Sequence, residues 1–459
     1  MKRIVTFLSL VLLLVACSTP LVFAEDTSET AETTETTETT EGTGTTEVTE
    51  TTDPSESTEG TESTTETETA EEVAFEAAAE HAIVVEANTG QILYAKDATT
   101  ADGIASITKI LTAYLVYEAI AEGTLSLDTQ VAISDYAYNL TLNSEASNVP
   151  LEARSYTVEQ LLNASLVASA NSAAIALAEH IGGSEPAFVD MMKAKVEEWG
   201  ITDATIVNAS GLNNSMLGEN IYPDSSSDDE NLMSAKDVAI IAQHLIQDYP
   251  QVLQITSQTT YNFAGTDITT WNYMLAGYPY YREGITGLKT GTTALAGPSF
   301  VATSTENGIP VIAVILNADN ADSDSYARFS ATYNLLDYIA NNFATATLVE
   351  AGDRYEKSTA TVIDGKEESV TAIAKEDLTY IQAGDSETPT ATFSTNEEGY
   401  KAAVSKGDTV GTLTLDLSGD QYLSGVAPTV EMVAKNSVER SNALKVWWNH
   451  FVKYVNEKL

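Results

Sequence analysis

The stretch Ala105-Ser106-Ile107-Thr108-Lys109, running on into Ile110-Leu111-Thr112-Ala113-Tyr114-Leu115, decides how this chain is read. It predicts a nucleophile at the start of a helix. Ser106 is placed to cap a helix that continues to about Ala121 and stops at Gly123, and Lys109, three residues on, projects from the same face. A serine hydroxyl is a weak nucleophile until a base takes its proton, and a lysine amine serves as that base once its surroundings lower its pKa. The helix N-terminus adds backbone N–H groups where an oxyanion would form. This is the only Ser-x-x-Lys of the chain, and a single Lys-Thr-Gly stands far downstream at Lys289, Thr290 and Gly291.

Outward from this stretch, 459 residues are enough for two domains and a sizeable core. The formal charge of -45 argues against a nucleic-acid partner, because an acidic surface repels phosphates. Cys17 is the only cysteine, so no disulfide framework exists. The four histidines, His81, His180, His244 and His450, have neither mutual spacing nor cysteine partners for zinc. No metal and no cofactor are expected.

Met1-Lys2-Arg3 followed by the apolar run Ile4 to Ala16 has the charged start and short hydrophobic core of an export signal, residues 1–24. Val22-Phe23-Ala24 is the preferred cleavage site, while Leu14-Val15-Ala16-Cys17 resembles a lipobox that would lipidate Cys17. Residues 25–72 form a Thr/Glu tract with 17 acidic and no basic side chains, too poor in apolar residues to fold, and they read as a disordered spacer.

Ordered sequence is expected from Val73. Ala82 to Ala87 and Gln91 to Ala95, about the turn Asn88-Thr89-Gly90, predict a hairpin that delivers the chain to Ser106. Thr157-Val158-Glu159-Gln160 is a capping-box start for a helix toward Ser169, and Asn171 is read as the cap of the next helix, to Gly182. Helices from Ser184 to Trp199 and from Ser234 to before Pro250 follow. Strands are expected at Ile285 to Gly291, Ser299 to Ser304 and Val311 to Leu316, pairing with the hairpin, and a helix at about Ser325 to Phe343 covers the sheet. This makes a helical lobe beside a mostly antiparallel sheet with a cleft between them, a catalytic domain spanning 73–345.

Residues 346–435 change to short alternating runs separated by Gly, Asp and Ser turns, the pattern of a small β domain. In 436–459, Leu444, Trp447, Trp448, Phe451, Val452, Val455 and Leu459 share one helical face. That stripe is too short and polar to span a bilayer, and it suits a helix lying in the membrane interface; docking on the β domain is the alternative.

Ala105 to Lys109, Ser169-Ala170-Asn171 and Lys289-Thr290-Gly291-Thr292 together resemble the three motifs of the D-alanyl-D-alanine carboxypeptidases, the low-molecular-mass penicillin-binding proteins. The resemblance runs from about Val73 to the C-terminus. It implies an α/β (α+β) fold like that of penicillin-binding proteins and β-lactamases, then a small all-β domain and an amphipathic C-terminal helix. It also implies an exported enzyme at the outer face of a bacterial cytoplasmic membrane that trims the terminal D-alanine from peptidoglycan stem peptides and is acylated by β-lactams. Ser106 is then the nucleophile, Lys109 the base, Ser169 a proton relay to the leaving amine, Lys289 its electrostatic partner, and Asn171 a holder of Lys109 and of the substrate amide. Backbone N–H groups of Ser106 and Thr292 form the oxyanion hole, Gly291 lets the substrate approach, and Thr290 with Arg328 receive the terminal carboxylate. Ser394-Thr395-Asn396 also fits Ser-x-Asn but falls in the β domain.

The chain departs from the family's usual pattern at Ile104, where proline is common, and at Ala170, where glycine is common and where a methyl is expected to narrow the site. The acidic loop Gly218 to Asp229 is expected to alter access. A serine β-lactamase and a transpeptidase share the motifs, and a wall-binding scaffold with a dead site is a further alternative; the intact Ser106, Lys109 and Lys289 speak against the last.

Overall fold

A five-stranded antiparallel sheet carries Lys289, Thr290 and Gly291 on one edge strand. Its strands are β1 (Ala79–Glu86), β2 (Ile92–Lys96), β3 (Gly287–Thr293), β4 (Gly297–Glu306) and β5 (Ile309–Ala318), in the order β2-β1-β5-β4-β3. The structure, a computed structural model, describes residues 74–384 and 386–458. The export signal, Cys17 and the Thr/Glu tract lie outside the described residues.

Both faces of the sheet are covered, which is why β1 and β5 read as nearly continuous apolar runs. Side chains alternate between two cores. Ile83, Val85, Ile312, Val314 and Leu316 join the helical lobe, whereas Ala82, Val84, Val311, Ala313 and Ile315 pack on the other side. Each such Val, Ile or Leu contributes about 1.5–3 kcal/mol by leaving water. The helical lobe comprises α1 (Lys109–Ala121), α2 (Asp135–Leu140), α3 (Val158–Val167), α4 (Asn171–Gly182), α5 (Glu185–Glu198), α6 (Ala235–Asp248) and the single-turn α7 (Leu253–Thr256). On the opposite face lies α8 (Ala327–Asn342), which buries Leu335, Leu336 and Ile339, while Tyr338 stacks on Phe75 with ring centroids 4.5 Å apart.

The capping box at Thr157 and Gln160 is formed, and Ser234 makes another with Asp237. Two expected caps are not made. Ser106 does not cap α1, because residues Ala105–Thr108 form a separate 3₁₀ turn and α1 begins only at Lys109. Asn171 is the first residue of α4 and not its cap; the cap position is Ala170, whose methyl offers no acceptor, and the Asn171 amide is engaged elsewhere. Both departures release a side chain for the cleft.

After α8 the chain passes into strand Phe343–Val349, paired with Leu378–Ala383, and a six-stranded sheet follows. Val362, Val370, Leu378, Val410, Leu413 and Met432 fill a separate core. The side chain of Gln91, on the hairpin, donates to the carbonyl of Ile381 at 2.8 Å and accepts from its N–H at 2.9 Å, tying the two-stranded pair Phe343–Val349 and Leu378–Ala383 to the first sheet. The last helix, α9 (Ala443–Lys458), leaves Leu444, Trp447, Trp448, Phe451 and Val452 exposed. No helix of the described residues is long and apolar enough to cross a membrane.

Candidate active site

The open edge of β3 abuts the 3₁₀ turn that carries Ser106. Gly291 permits this approach: a Cβ there would lie 2.6 Å from the carbonyl oxygen of Ile104. Ile104, in the place where proline is usual, uses its N–H to donate to the Asn231 carbonyl at 3.1 Å, a bond proline lacks. The turn is strained, with Ala105 at φ +46°, and Ser169, between α3 and α4, sits at φ +59°.

Lys109 is fully buried, and its Nζ lies 2.9 Å from Ser106 Oγ, 2.7 Å from Asn171 Oδ1 and 2.6 Å from the carbonyl oxygen of Ser210. Burial drives its pKa well down, and the charge of Lys289 lowers it further. The two carbonyl-type oxygens can only accept, so they take the two N–H bonds of a neutral amine, and the remaining lone pair faces Ser106. That geometry suits proton removal from the serine.

Across the cleft, Lys289 Nζ donates to Ser169 Oγ at 2.9 Å and to the Thr290 carbonyl at 3.0 Å. Burial, with the nearby Arg328 charge, lowers Lys289 to about 7. Arg328 is not a solvated helix residue. Its guanidinium donates to the carbonyls of Gly291 at 2.7 Å and Ser299 at 3.2 Å, and to Thr292 Oγ1 at 2.7 Å, and burial holds it down to about 10.

These groups surround a cleft of about 470 Å³ lined by Ser106, Ser169, Thr290, Gly291, Thr292 and Arg328. Lys109, Asn171 and Lys289 stand in its wall, behind Ser106 and Ser169. Every residue expected at the site is thus brought to one place. Asn171 holds Lys109 through Oδ1, and its Nδ2 donates one hydrogen to the Ser147 carbonyl at 2.9 Å. Two expectations about access are corrected. Ala170 packs in the helical-lobe core, since its methyl points away from the cleft, and no residue of 218–229 lines the cleft, because Glu230 ends that loop against Thr293 Oγ1. Ser394 lies in the second sheet, outside the cleft.

Sequence reasoning missed the Ser210 carbonyl, since a backbone acceptor leaves no trace in residue type. It also missed the aromatic wall of Trp271, Tyr273, Tyr326 and Phe329, and Glu145 on the rim. The aromatic density of 271–281, with Trp271, Tyr273, Tyr278, Tyr280 and Tyr281, was the available signal.

Residues 64–320, more than half of the chain, match the family model described as D-alanyl-D-alanine carboxypeptidase, and residues 343–440 match that of the penicillin-binding protein 5 C-terminal domain. The D-alanyl-D-alanine carboxypeptidase DacF of Bacillus subtilis is 28% identical over 356 residues, covering 76% of this chain and 84% of its own. Among solved structures, a peptidoglycan synthesis regulatory factor (PBP3) from Streptococcus pneumoniae shares 55% identity with a TM-score of 0.73, over 80% of this chain and all of that one. Penicillin-binding protein 5 from Haemophilus influenzae shares 26% with a TM-score of 0.62, over 80% of this chain and 99% of that one. Similarity on this scale, over a cleft assembled from the same three motifs, makes the chain a member of the D-alanyl-D-alanine carboxypeptidase family of low-molecular-mass penicillin-binding proteins.

Proposed function

We propose that this chain is a serine-type carboxypeptidase that removes the terminal D-alanine from peptidoglycan stem peptides and is inhibited by penicillin through the same serine. The observation that carries the reading is the placement of Lys109 Nζ, 2.9 Å from Ser106 Oγ with Asn171 Oδ1 and the Ser210 carbonyl as its other two partners, so that the neutral amine, giving its two N–H groups to those acceptors, would keep its lone pair for the Ser106 hydroxyl. Ser106 Oγ attacks the carbonyl carbon between the two D-alanines as Lys109 takes its proton. The tetrahedral oxyanion is received by the N–H groups of Ser106 and Thr292, where one such donor is worth about 3 kcal/mol. The C–N bond then breaks, the leaving amine takes a proton from Ser169, backed by Lys289, and Lys109 passes the Ser106 proton on to Ser169 and is neutral again. Water, deprotonated by the same base, releases the shortened peptide and restores Ser106.

Substrate and penicillin both carry a carboxylate beyond the reacting carbonyl. Thr290, Thr292 and Arg328 offer hydroxyls and positive charge there, and an incoming carboxylate also raises Lys289 back toward its charged form. The exposed aromatic face of α9 supports a role as an interfacial anchor at the outer membrane surface, with the Thr/Glu tract as a spacer and domains at 73–345 and 346–435. Vesicle co-sedimentation of a chain ending at Asn442 tests the anchor; undiminished binding excludes it.

The deciding experiment is D-alanine release from a peptide ending in D-Ala-D-Ala, with a Ser106→Ala control and a parallel penicillin incubation read by intact mass. Release that vanishes in the control, with a lasting penicilloyl adduct, is the expected outcome. Rapid penicillin turnover without release would indicate a β-lactamase, acyl transfer to an added amine a transpeptidase, and no acylation a binding protein.

A further inference from the structure

One carbonyl that holds Lys109 belongs to a segment without regular structure. Residues Asn208 to Gly211 form an irregular turn pressed against the nucleophile, so close that a Cβ on Gly211 would lie 1.8 Å from the Ala105 carbonyl oxygen. Its position depends on discrete hydrogen bonds. Asn208 Oδ1 accepts from Gly211 N at 2.6 Å, Asn231 Nδ2 donates to the Asn208 carbonyl at 2.9 Å, and Thr112 Oγ1 donates to the Ala209 carbonyl at 2.6 Å. The Ala209 N–H donates at 2.9 Å to Oε1 of Glu185, a carboxyl 3% exposed.

Glu185 has no part in the chemistry described so far. It is the first residue of α5, and its other oxygen accepts from the Tyr136 hydroxyl at 2.7 Å. The groups that face it are Tyr136 from α2, Glu179 from α4 and the Ala209 amide from the turn. Burial pushes it up to about 7, and the neighbouring Glu179 adds to the rise, against the two hydrogen bonds it accepts. A carboxyl so placed is unfavourable in the fold unless its charge is used.

We propose that Glu185 is a positioning residue for the base: through the Ala209 amide it fixes the Asn208–Gly211 turn, and thereby the Ser210 carbonyl that aims Lys109 at Ser106. The inference rests on the reading of Lys109 as base. When Glu185 is ionised, its bond to Ala209 N–H is charge-assisted and the turn is held firmly. When it is protonated that bond weakens, and the Ser210 carbonyl loses definition relative to Lys109.

The test compares kcat and KM for D-alanine release by the wild-type protein, Glu185→Gln and Tyr136→Phe from pH 5.5 to 9. Glu185→Gln keeps an acceptor for Ala209 and a donor for Tyr136 but carries no charge. Its KM should match wild type, and its kcat should fall roughly tenfold above pH 7, as small displacements of a reacting group do, while converging with wild type in acid. Lys109 and Lys289 titrate in both proteins, so the ratio of the two profiles isolates Glu185. Tyr136→Phe removes one donor from the carboxylate and should move the inflection of that ratio to higher pH. A wild-type kcat at every pH in Glu185→Gln overturns the inference. Should Glu185→Gln fail to fold, an unmoved profile in folded Tyr136→Phe overturns it instead. Absence of release by the wild-type protein overturns the carboxypeptidase reading, a result distinct from either.

Discussion

The Nζ of Lys109 lies 2.9 Å from the Oγ of Ser106, and the amine is fully buried. A base in that position must be able to lose its charge, which lysine can do under desolvation and arginine cannot. Lys109→Arg is therefore expected to be as inactive as Lys109→Ala, with acylation by penicillin falling about a thousandfold in each, within the range assigned to general-base catalysis. Time-resolved intact mass measures this; an arginine variant that retains a tenth of the wild-type rate would show that positive charge, not proton removal, is what position 109 supplies.

The two buried lysines should give a bell-shaped pH dependence. Lys289's charge depresses Lys109, so Lys109 gives up its proton first as pH rises, and activity climbs through that step. It then declines as Lys289 deprotonates, about 7 in the free protein. Because kcat/KM reports free enzyme and kcat the bound complex, the alkaline limb of kcat/KM should lie near 7. That of kcat should lie higher, since the bound carboxylate restores the Lys289 proton. Coincident alkaline limbs would rule out direct pairing of Lys289 with the substrate carboxylate.

Most of the fold was legible because its elements follow simple periodicities. The Asn88–Gly90 turn, the Thr157 capping box, the helix start at Ser234 and the apolar runs of β1, β4 and β5 each point to one local structure, and all were realised. Ser106 and Asn171 were misread as helix caps because residue type cannot distinguish a side chain that satisfies its own helix from one that has been turned toward a lysine. The aromatic wall and Glu185 went unread for a different reason. Their roles arise from contacts between segments far apart in sequence, such as Glu185 with Ala209 and Tyr136.

Arg328 binds β3 by two hydrogen bonds and β4 by one while also facing the cleft, so its substitution mixes structure with recognition. The two separate by changing the substrate. Arg328→Lys should lower kcat/KM about ten- to a hundredfold for a peptide with a free terminal carboxylate, the usual range for a hydrogen bond to a charged group. The same peptide capped as an amide should lose much less. Equal losses for both would assign Arg328 to holding Gly291 and Thr292 alone.

Gly211 and Gly123 both occupy left-handed backbone, at φ +80° and φ +75°, but only Gly211 is crowded, by the Ala105 carbonyl. Gly123→Ala should cost about 1 kcal/mol, the backbone penalty alone. Gly211→Ala should cost about 2 kcal/mol more from overpacking, and it should also slow acylation, because the displaced residues carry Ser106 and the Ser210 carbonyl. Chemical denaturation of both variants measures the difference. Equal stabilities would mean that the turn moves aside freely, which a positioning role for it does not allow.

Glu185 also makes a prediction about stability. Its carboxyl is raised from 4.5 to about 7 in the folded protein, so between those values the folded state binds a proton that the unfolded state has released. Stability contributed by this group is then present below pH 4.5 and lost as pH rises to about 7, a change of about 3 kcal/mol at 1.36 kcal/mol per unit. Glu185→Gln has no proton to lose. The melting temperature of the variant relative to wild type should therefore increase from pH 5 to about pH 7 and level off above it, as its kcat falls behind. A variant that is more stable and slower at pH 8 would show a charge retained for the reaction at the expense of the fold. A melting-temperature difference independent of pH would mean that Glu185 does not titrate there, and that its bond to Ala209 is the same at every pH at which the enzyme works.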